Sequence, residues 1–325
     1  MDTAQWYRWF GEHEAAGSSP TYERLALAVA DDPEVVGRLD ALPGAKRQPN
    51  LLFAAVRFLG GPVGTWPAFR AFVLDGWDQV AATMAERSTQ TNEVARCATL
   101  LPLLSALPQP LALVEVGASA GLCLQPDRYA YAYRSGPGGT TVHEPAGPAS
   151  TVRLEVEASG PVPFPERVPE VAWRAGIDLN PLDVTDPDHL AWLEACVWPE
   201  HEDRRARLLA AAAIAAADPP RLVAGDLVDE VGPLLDEVPA GATPVVIHTA
   251  VLNYLPAEPR RRFADVLAAR PEVVWLAGEA PGVLPDADPA TPPPTGRTGT
   301  HFQVVRGGTE VVAQADPHGR WLHWR

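Results

Sequence analysis

The chain is short of lysine, cysteine and long apolar runs, and each shortage removes a class of function. Lys46 is the only lysine, so the pattern G-x-x-x-x-G-K-[ST] is absent and a P-loop is excluded. A Schiff-base lysine would have to be Lys46, which sits in the turn-like stretch Pro43-Gly44-Ala45-Lys46-Arg47, a poor place for the desolvation that lowers an amine's pKa. Cys97, Cys123 and Cys196 are odd in number and widely spaced. They form neither a C-x-x-C pair nor a disulfide framework, and a reducing compartment is expected. The longest apolar run, Leu208 to Ala217, is half of the ~20 residues a spanning helix needs. The N-terminal residues carry acid and no apolar core of a signal peptide, so a cytoplasmic location is expected.

What is present is acid. The 325 residues hold 41 Asp and Glu against 26 Lys and Arg, a net charge of −15. Such a surface repels phosphate backbones and anionic lipid, which favours a small-molecule partner over nucleic acid or membrane. His318 and His323 have no third motif-linked ligand, so no metal is expected.

Up to about Pro108 the periodicity is helical, with stretches at 20–29, 32–42, 51–59, 66–73 and a long one from Thr91 to Leu107. Residues 1–108 therefore read as an N-terminal helical domain. After Pro108-Gln109-Pro110 the character changes. Leu111 to Val116 is an apolar strand entering a small-residue turn, and residues 109–325 read as strands alternating with helices. A β-rich insertion is expected at about 129–170. Further strands are expected near 171–178, 221–226, 244–250 and 272–279. Asp186-Pro187 and Pro199 open two helices, Pro281 to Pro294 is a loop, and Gly307-Gly308 turns a closing antiparallel hairpin. The fold class expected is α/β, a doubly wound sheet with that hairpin at its end.

Most of the chemistry lies in Glu115-Val116-Gly117-Ala118-Ser119-Ala120-Gly121. Two mechanisms fit it. In one, G-x-S-x-G is the nucleophile elbow of a serine hydrolase, with Asp226 and His318 the order-compatible partners of Ser119. In the other it is a glycine-rich nucleotide loop, whose small residues let backbone N–H groups approach a ligand. The first hundred residues read as helical, with strand-like alternation nearly absent, so the strand at Leu111 is expected to be the first of its sheet, and a crevice at its end favours the nucleotide loop. A third reading keeps the cofactor fold without catalysis, because the middle glycine is missing and Pro126 cuts short the following helix.

The segment Leu113-Val114-Glu115-Val116-Gly117-x-Ser119-x-Gly121 resembles the first motif of class I S-adenosylmethionine-dependent methyltransferases, with serine in place of the middle glycine. The wider chain resembles a bacterial family known only as domain of unknown function 2332. That likeness is carried by Gln90 to Cys97, Glu115 to Leu122 with Asp127-Arg128-Tyr129, Asp178 to Thr185, and Ala315 to Trp321. The methyltransferase likeness implies a Rossmann-like sheet and S-adenosylmethionine as cofactor. It further implies that Glu115, Gly117, Ala118, Ser119, Gly121, Asp178, Leu179, Asp226 and Leu227 hold that cofactor. Asp178 would bind both ribose hydroxyls, Asp226 the adenine amino group, and Leu227 would pack on the ring. His248 and Tyr254, at the end of a fourth strand, become candidates for the catalytic contact with a small acceptor. Gln90, Asn92, Glu93, Arg128 and Tyr129 become candidates for binding that acceptor. Each has a plain structural alternative: a capping arrangement for 90–93, a helix cap for Asp226, a strand-closing histidine for His248, a surface ion pair for Arg128.

Overall fold

The computed structural model of the chain describes every residue except 291, 293, 295, 296, 298 and 299. The proline-rich stretch 281–294 therefore lies partly outside the described residues. In chain order the helices are α1 (Thr3–Trp9), α2 (Pro20–Ala30), α3 (Pro33–Asp40), α4 (Pro49–Phe58), α5 (Trp66–Asp75), α6 (Trp77–Glu86), α7 (Cys97–Ala106), α8 (Pro187–Cys196), α9 (Glu202–Ala217), α10 (Leu227–Leu235) and α11 (Ala257–Ala268). The strands are β1 (Leu111–Val116), β2 (Ala130–Ser135), β3 (Thr141–His143), β4 (Arg153–Ser159), β5 (Val171–Asp178), β6 (Arg221–Ala224), β7 (Thr243–Thr249), β8 (Val274–Glu279), β9 (Phe302–Arg306), β10 (Glu310–Ala315) and β11 (Trp321–Trp324). Among the described residues no helix is long and apolar enough to cross a membrane.

Two compact units divide the chain, one of residues 1–91 with 185–206 and one of 92–184 with 207–325. The first is helical, and its elements begin where side chains can cap them. Ser19 accepts from the Tyr22 N–H, Asp32 from Glu34 and Val35, and Asp186 from Asp188, each with proline at the first helical position. Its core is aromatic. Phe53 on α4 meets Tyr22 at 4.6 Å, Phe69 at 5.7 Å, Phe10 at 6.1 Å and Tyr7 at 6.2 Å. Helix α8 belongs here because Trp192 is buried on Phe58 and donates its indole N–H to the Ser88 carbonyl. The lone lysine is structural, since Lys46 Nζ donates to the Arg87 carbonyl at 2.7 Å.

The second unit is built on one mixed sheet, ordered β3-β2-β4-β11-β10-β9-β8-β7-β1-β5-β6 among the described residues. Strands β6, β5, β1, β7 and β8 run parallel to one another. From β1 the chain goes outward to β5 and β6 on one side, then returns to β7 and β8 on the other, so strand order reverses between β1 and β7. Strands β9, β10 and β11 follow antiparallel, with the expected hairpin at Gly307-Gly308. The insertion expected at 129–170 adds β2, β3 and β4 to the same sheet, where β4 pairs with β11.

The single boundary expected at Pro108 gives way to this division for a packing reason. Helix α7 is apolar on nearly every side, with Cys97 to Leu104 all buried, and so it needs cover all round. Tyr133 of β2, itself buried, donates to its Ala98 carbonyl at 2.7 Å. The helix is also shorter than the expected stretch from Thr91, because Gln90 to Glu93 is irregular and Val94–Arg96 is a 3-10 turn.

Gly308 in the β9–β10 turn has φ +73°, and a Cβ there would lie 2.2 Å from the Trp275 ring. Gly308→Ala is expected to destabilise the second unit by about 1–3 kcal/mol, read as a lowered urea midpoint. Gly44→Ala, with open space around it and no positive φ, is expected to leave the midpoint unchanged.

Candidate functional site

Strand β1 is buried along its whole length, and along its alternating pattern Leu111, Leu113 and Glu115 face one side while Val114 and Val116 face the other. The second side is the core that packs with α10 and α11. At its end the chain turns sharply: Gly117 and Gly121 have φ +68° and Ser119 has φ +53°. Both glycines are needed sterically. A Cβ on Gly117 would lie 2.2 Å from Val251, and one on Gly121 would lie 2.6 Å from Pro220.

The turn's own N–H groups are spent inside the protein. Gly117 and Ala118 donate to the Ile177 carbonyl, Ser119 to Asp178 Oδ2 at 2.8 Å, Ala120 to Asn92 Oδ1 at 3.3 Å, and Gly121 to the Ala118 carbonyl. Asn92 also donates from its amide nitrogen to Ser119 Oγ. The expected gripping of a ligand by these N–H groups is therefore corrected. The loop is small so that strand, helix and side chains can close together, and the groups left for a ligand are side chains.

Two carboxyl groups stand at the turn. Asp178 ends β5, and its second oxygen accepts the Asn180 N–H at 2.8 Å. Each oxygen holds one N–H and so keeps a lone pair for a further donor. Leu179, next along, is 70% exposed. Glu115 is the opposite case. It is buried, its Oε2 has no hydrogen-bond partner, and burial pushes its carboxyl well above the usual range. Cys123 and Asp178 push the same way and Arg96 opposes them. The cleft that Glu115 lines is also walled by Arg96, Cys97, Cys123, Ile247, His248 and Thr249. It measures about 270 Å³ with its open mouth, and its enclosed depth has room for about one water molecule.

The other expected residues divide between the rim and the interior. Tyr254, in the 3-10 turn Leu252–Tyr254 that follows β7, is 79% exposed, and Asp226 is exposed with one oxygen capping α10 through the Val228 N–H at 2.8 Å. Arg128 pairs with Asp218 at 2.5 Å on the surface. Gln90 falls in the first unit. Four residues are corrected. Leu227 is in the core with α10 and is closed to an adenine ring. Tyr129 is fully buried and donates to the Leu122 carbonyl at 2.6 Å. Glu93 is buried in an ion pair with Arg207 at 3.0 Å. His248 shares a side of β7 with Val246, against Phe263 and Trp275, and both its nitrogens are engaged. Trp275 donates to its Nε2 at 2.9 Å, so Nδ1 carries the proton and donates to Glu279 at 2.8 Å. Glu279 Oε1 also accepts the Val251 and Leu252 N–H groups, which fixes the loop after β7. His248 is a strut, with no nitrogen left to act as a base.

Arg96 is the residue that sequence reasoning passed over. It is 7% exposed, donates from Nε to the Pro317 carbonyl and from Nη1 to the Thr249 carbonyl, and stands over the Phe302 ring at 5.5 Å. The signal was an arginine inside the apolar run Val94-Ala95-Arg96-Cys97-Ala98.

The second unit is thus an α/β module whose candidate site lies at the carboxyl ends of parallel strands, where their order reverses. The chain belongs to the family of uncharacterised proteins conserved in bacteria, DUF2332, whose model matches residues 4–324. No curated protein and no solved structure matches the chain.

His248→Ala would leave the Trp275 N–H and Glu279 short of a partner, at about 1–3 kcal/mol for each group. A clear fall in stability is expected, with Tyr254→Ala near neutral, measured by urea unfolding of both variants. Acid gives a second check. Burial alone would raise the Asp316 carboxyl, but Arg320 and the His318 N–H hold it below its usual value. Its contribution is present above the unfolded value of ~3.9 and is lost as pH falls through the lower folded value. Asp316→Asn is expected to flatten that part of the stability–pH curve.

Proposed function

We propose that the second unit is a class I methyltransferase-like module that binds S-adenosylmethionine and acts on a small-molecule acceptor. The observation that carries this is Asp178 at the end of β5, tied to the Ser119 turn at the end of β1, with exposed Leu179 beside it. A strand-end carboxylate next to a small-residue turn at a reversal of strand order is the setting in which a ribose is held. The residues fit such a cofactor at three points. Asp178 keeps lone pairs for the two ribose hydroxyls, worth about 1.5–3 kcal/mol for each bond to a charged group. Leu179 offers an apolar surface that an adenine face would cover. The unpartnered Glu115 oxygen gives a polar tail something to meet.

When bound, the cofactor supplies an electrophilic methyl group. The chain's residues contribute holding and alignment, which is most of what in-line transfer asks of a protein. Asp178 and Leu179 hold the nucleoside, and the Gly117–Gly121 turn fixes the strand end against which Asp178 is set. Asp226 stands exposed beyond β6, on the same edge. With His248 engaged elsewhere, Tyr254 at the rim is the remaining candidate for acceptor contact.

Thermal unfolding with S-adenosylhomocysteine tests the reading. At a hundredfold excess over Kd the ligand adds about 2.7 kcal/mol, and a clear rise in Tm is expected. Leu179→Asp alters an exposed side chain outside the turn, so it should fold normally and lose most of that rise. Absence of any shift at millimolar ligand, or a shift that Leu179→Asp leaves intact, contradicts the proposal.

A further inference from the structure

Cys97 and Cys123 are 26 residues apart in sequence, and the fold sets their thiols side by side. Cys97 heads α7, and Cys123 lies in the 3-10 turn Leu122–Leu124 that follows Gly121. The Cys97 thiol donates to the Cys123 carbonyl at 3.6 Å and the Cys123 thiol to the Glu93 carbonyl at 3.7 Å. Each sulfur is also within hydrogen-bond reach of the other. Both line the cleft beside β1, together with Leu100, Leu104 and Ile247. A thiol is a weak hydrogen-bond donor, so these contacts contribute little. What two adjacent sulfurs offer distinctively is soft metal ligation.

Arg96 stands in the same cleft with its charge unbalanced. It is buried, its Nε and Nη1 donate to the Pro317 and Thr249 carbonyls, and among the described residues it makes no ion pair. A buried cation calls for an anion beside it, and two neutral thiols supply none. A monovalent ion held between two thiolates does, because the ion and its ligands together carry one negative charge.

We propose that Cys97 and Cys123 form a two-coordinate site for a soft monovalent metal ion, cuprous copper, with the Arg96 guanidinium as its counter-charge. On binding, each thiol gives its proton to solvent, two metal–sulfur bonds form, and no electron is transferred. The ligand set selects the ion. Among the described residues no group of three His, Cys, Asp or Glu side chains could hold a metal, so zinc, which takes four ligands, is not served. His248 lines the cleft too, but both its nitrogens are engaged by Trp275 and Glu279. Cuprous copper favours soft sulfur, and a bare ion fits a depth that admits about one water molecule. Once seated, it ties the start of α7 to the turn behind Ser119. The site stands apart from the cofactor reading and does not depend on it.

Anaerobic titration of the full-length protein with Cu⁺, buffered by a coloured cuprous chelator and followed by thermal unfolding, tests this. The expected result is one Cu⁺ per chain, a raised Tm, and an X-ray absorption spectrum showing two sulfur ligands without nitrogen or oxygen. Zn²⁺ at the same concentration should leave Tm unchanged. Cys97→Ser and Cys123→Ser should each abolish Cu⁺ binding, while Cys196→Ser, in the first unit, keeps it. Arg96→Gln retains both sulfurs and should weaken Cu⁺ binding by about 10–100-fold, as loss of a group supporting the ligands does. If a serine variant fails to fold, the absorption spectrum of the parent still decides. Nitrogen or oxygen ligands in that spectrum, Cu⁺ binding that survives in both serine variants, or Zn²⁺ bound as tightly as Cu⁺ overturns the site. No Cu⁺ bound by the parent overturns it as well, and unchanged affinity in Arg96→Gln overturns the counter-charge.

Discussion

The site rests on a carboxylate that closes a turn. Asp178 accepts the Ser119 N–H with one oxygen and the Asn180 N–H with the other, so the end of β5 and the end of β1 are fixed to each other. The Ser119 turn, with three residues at positive φ, has little conformational preference of its own for this shape. Asn92 supports it from the far side, taking the Ala120 N–H and donating to Ser119 Oγ. With the backbone donors consumed in this way, any ligand must be read by side chains. That is why the function proposed for this unit is argued from the side chains of Asp178 and Leu179.

The two sides of the sheet divide the work. On the α10 and α11 side, Val114, Val116, Ala175, Ile177 and Val246 form a continuous apolar core. The polar network of His248, Trp275 and Glu279 lies on that side and is almost entirely bonded, which suits a structural strut that orders the loop after β7. On the α7 side, Glu115 is left with an unsatisfied oxygen and a guanidinium nearby. Glu279 also keeps one oxygen, Oε2, without a partner, but its Oε1 is tied to His248 and to the Val251 and Leu252 N–H groups, and that is what makes it a support.

Local chemistry announced much of the fold. Asp186-Pro187 could only open a helix economically, Gly307-Gly308 supplied the φ values a tight hairpin needs, and the apolar run Leu111–Val116 demanded burial on both faces. What stayed hidden was tertiary. The stretch 97–106 reads as helix, but the burial of Cys97 to Leu104 that puts it with the sheet shows only once its neighbours are in place. Trp192 reads as one apolar residue of a helix, and only its bond to the Ser88 carbonyl puts α8 with the first unit. The site was half legible: the Gly117–Gly121 turn and Asp178 announce themselves by composition at strand ends. His248 reads as a candidate contact or as a strand-closing histidine, and only the fold shows that Trp275 and Glu279 occupy both its nitrogens. Leu227, Tyr129 and Glu93 misled for the same reason, since a residue beside a motif reads alike whether it faces a ligand or the core.

The most direct measurement is a crystal structure of the full chain grown with S-adenosylhomocysteine. The account predicts the ribose hydroxyls within hydrogen-bond distance of Asp178 and adenine lying on Leu179. A ligand bound away from the ends of β1 and β5, or a Leu179 that stays open to solvent while the ligand is held elsewhere, would contradict it.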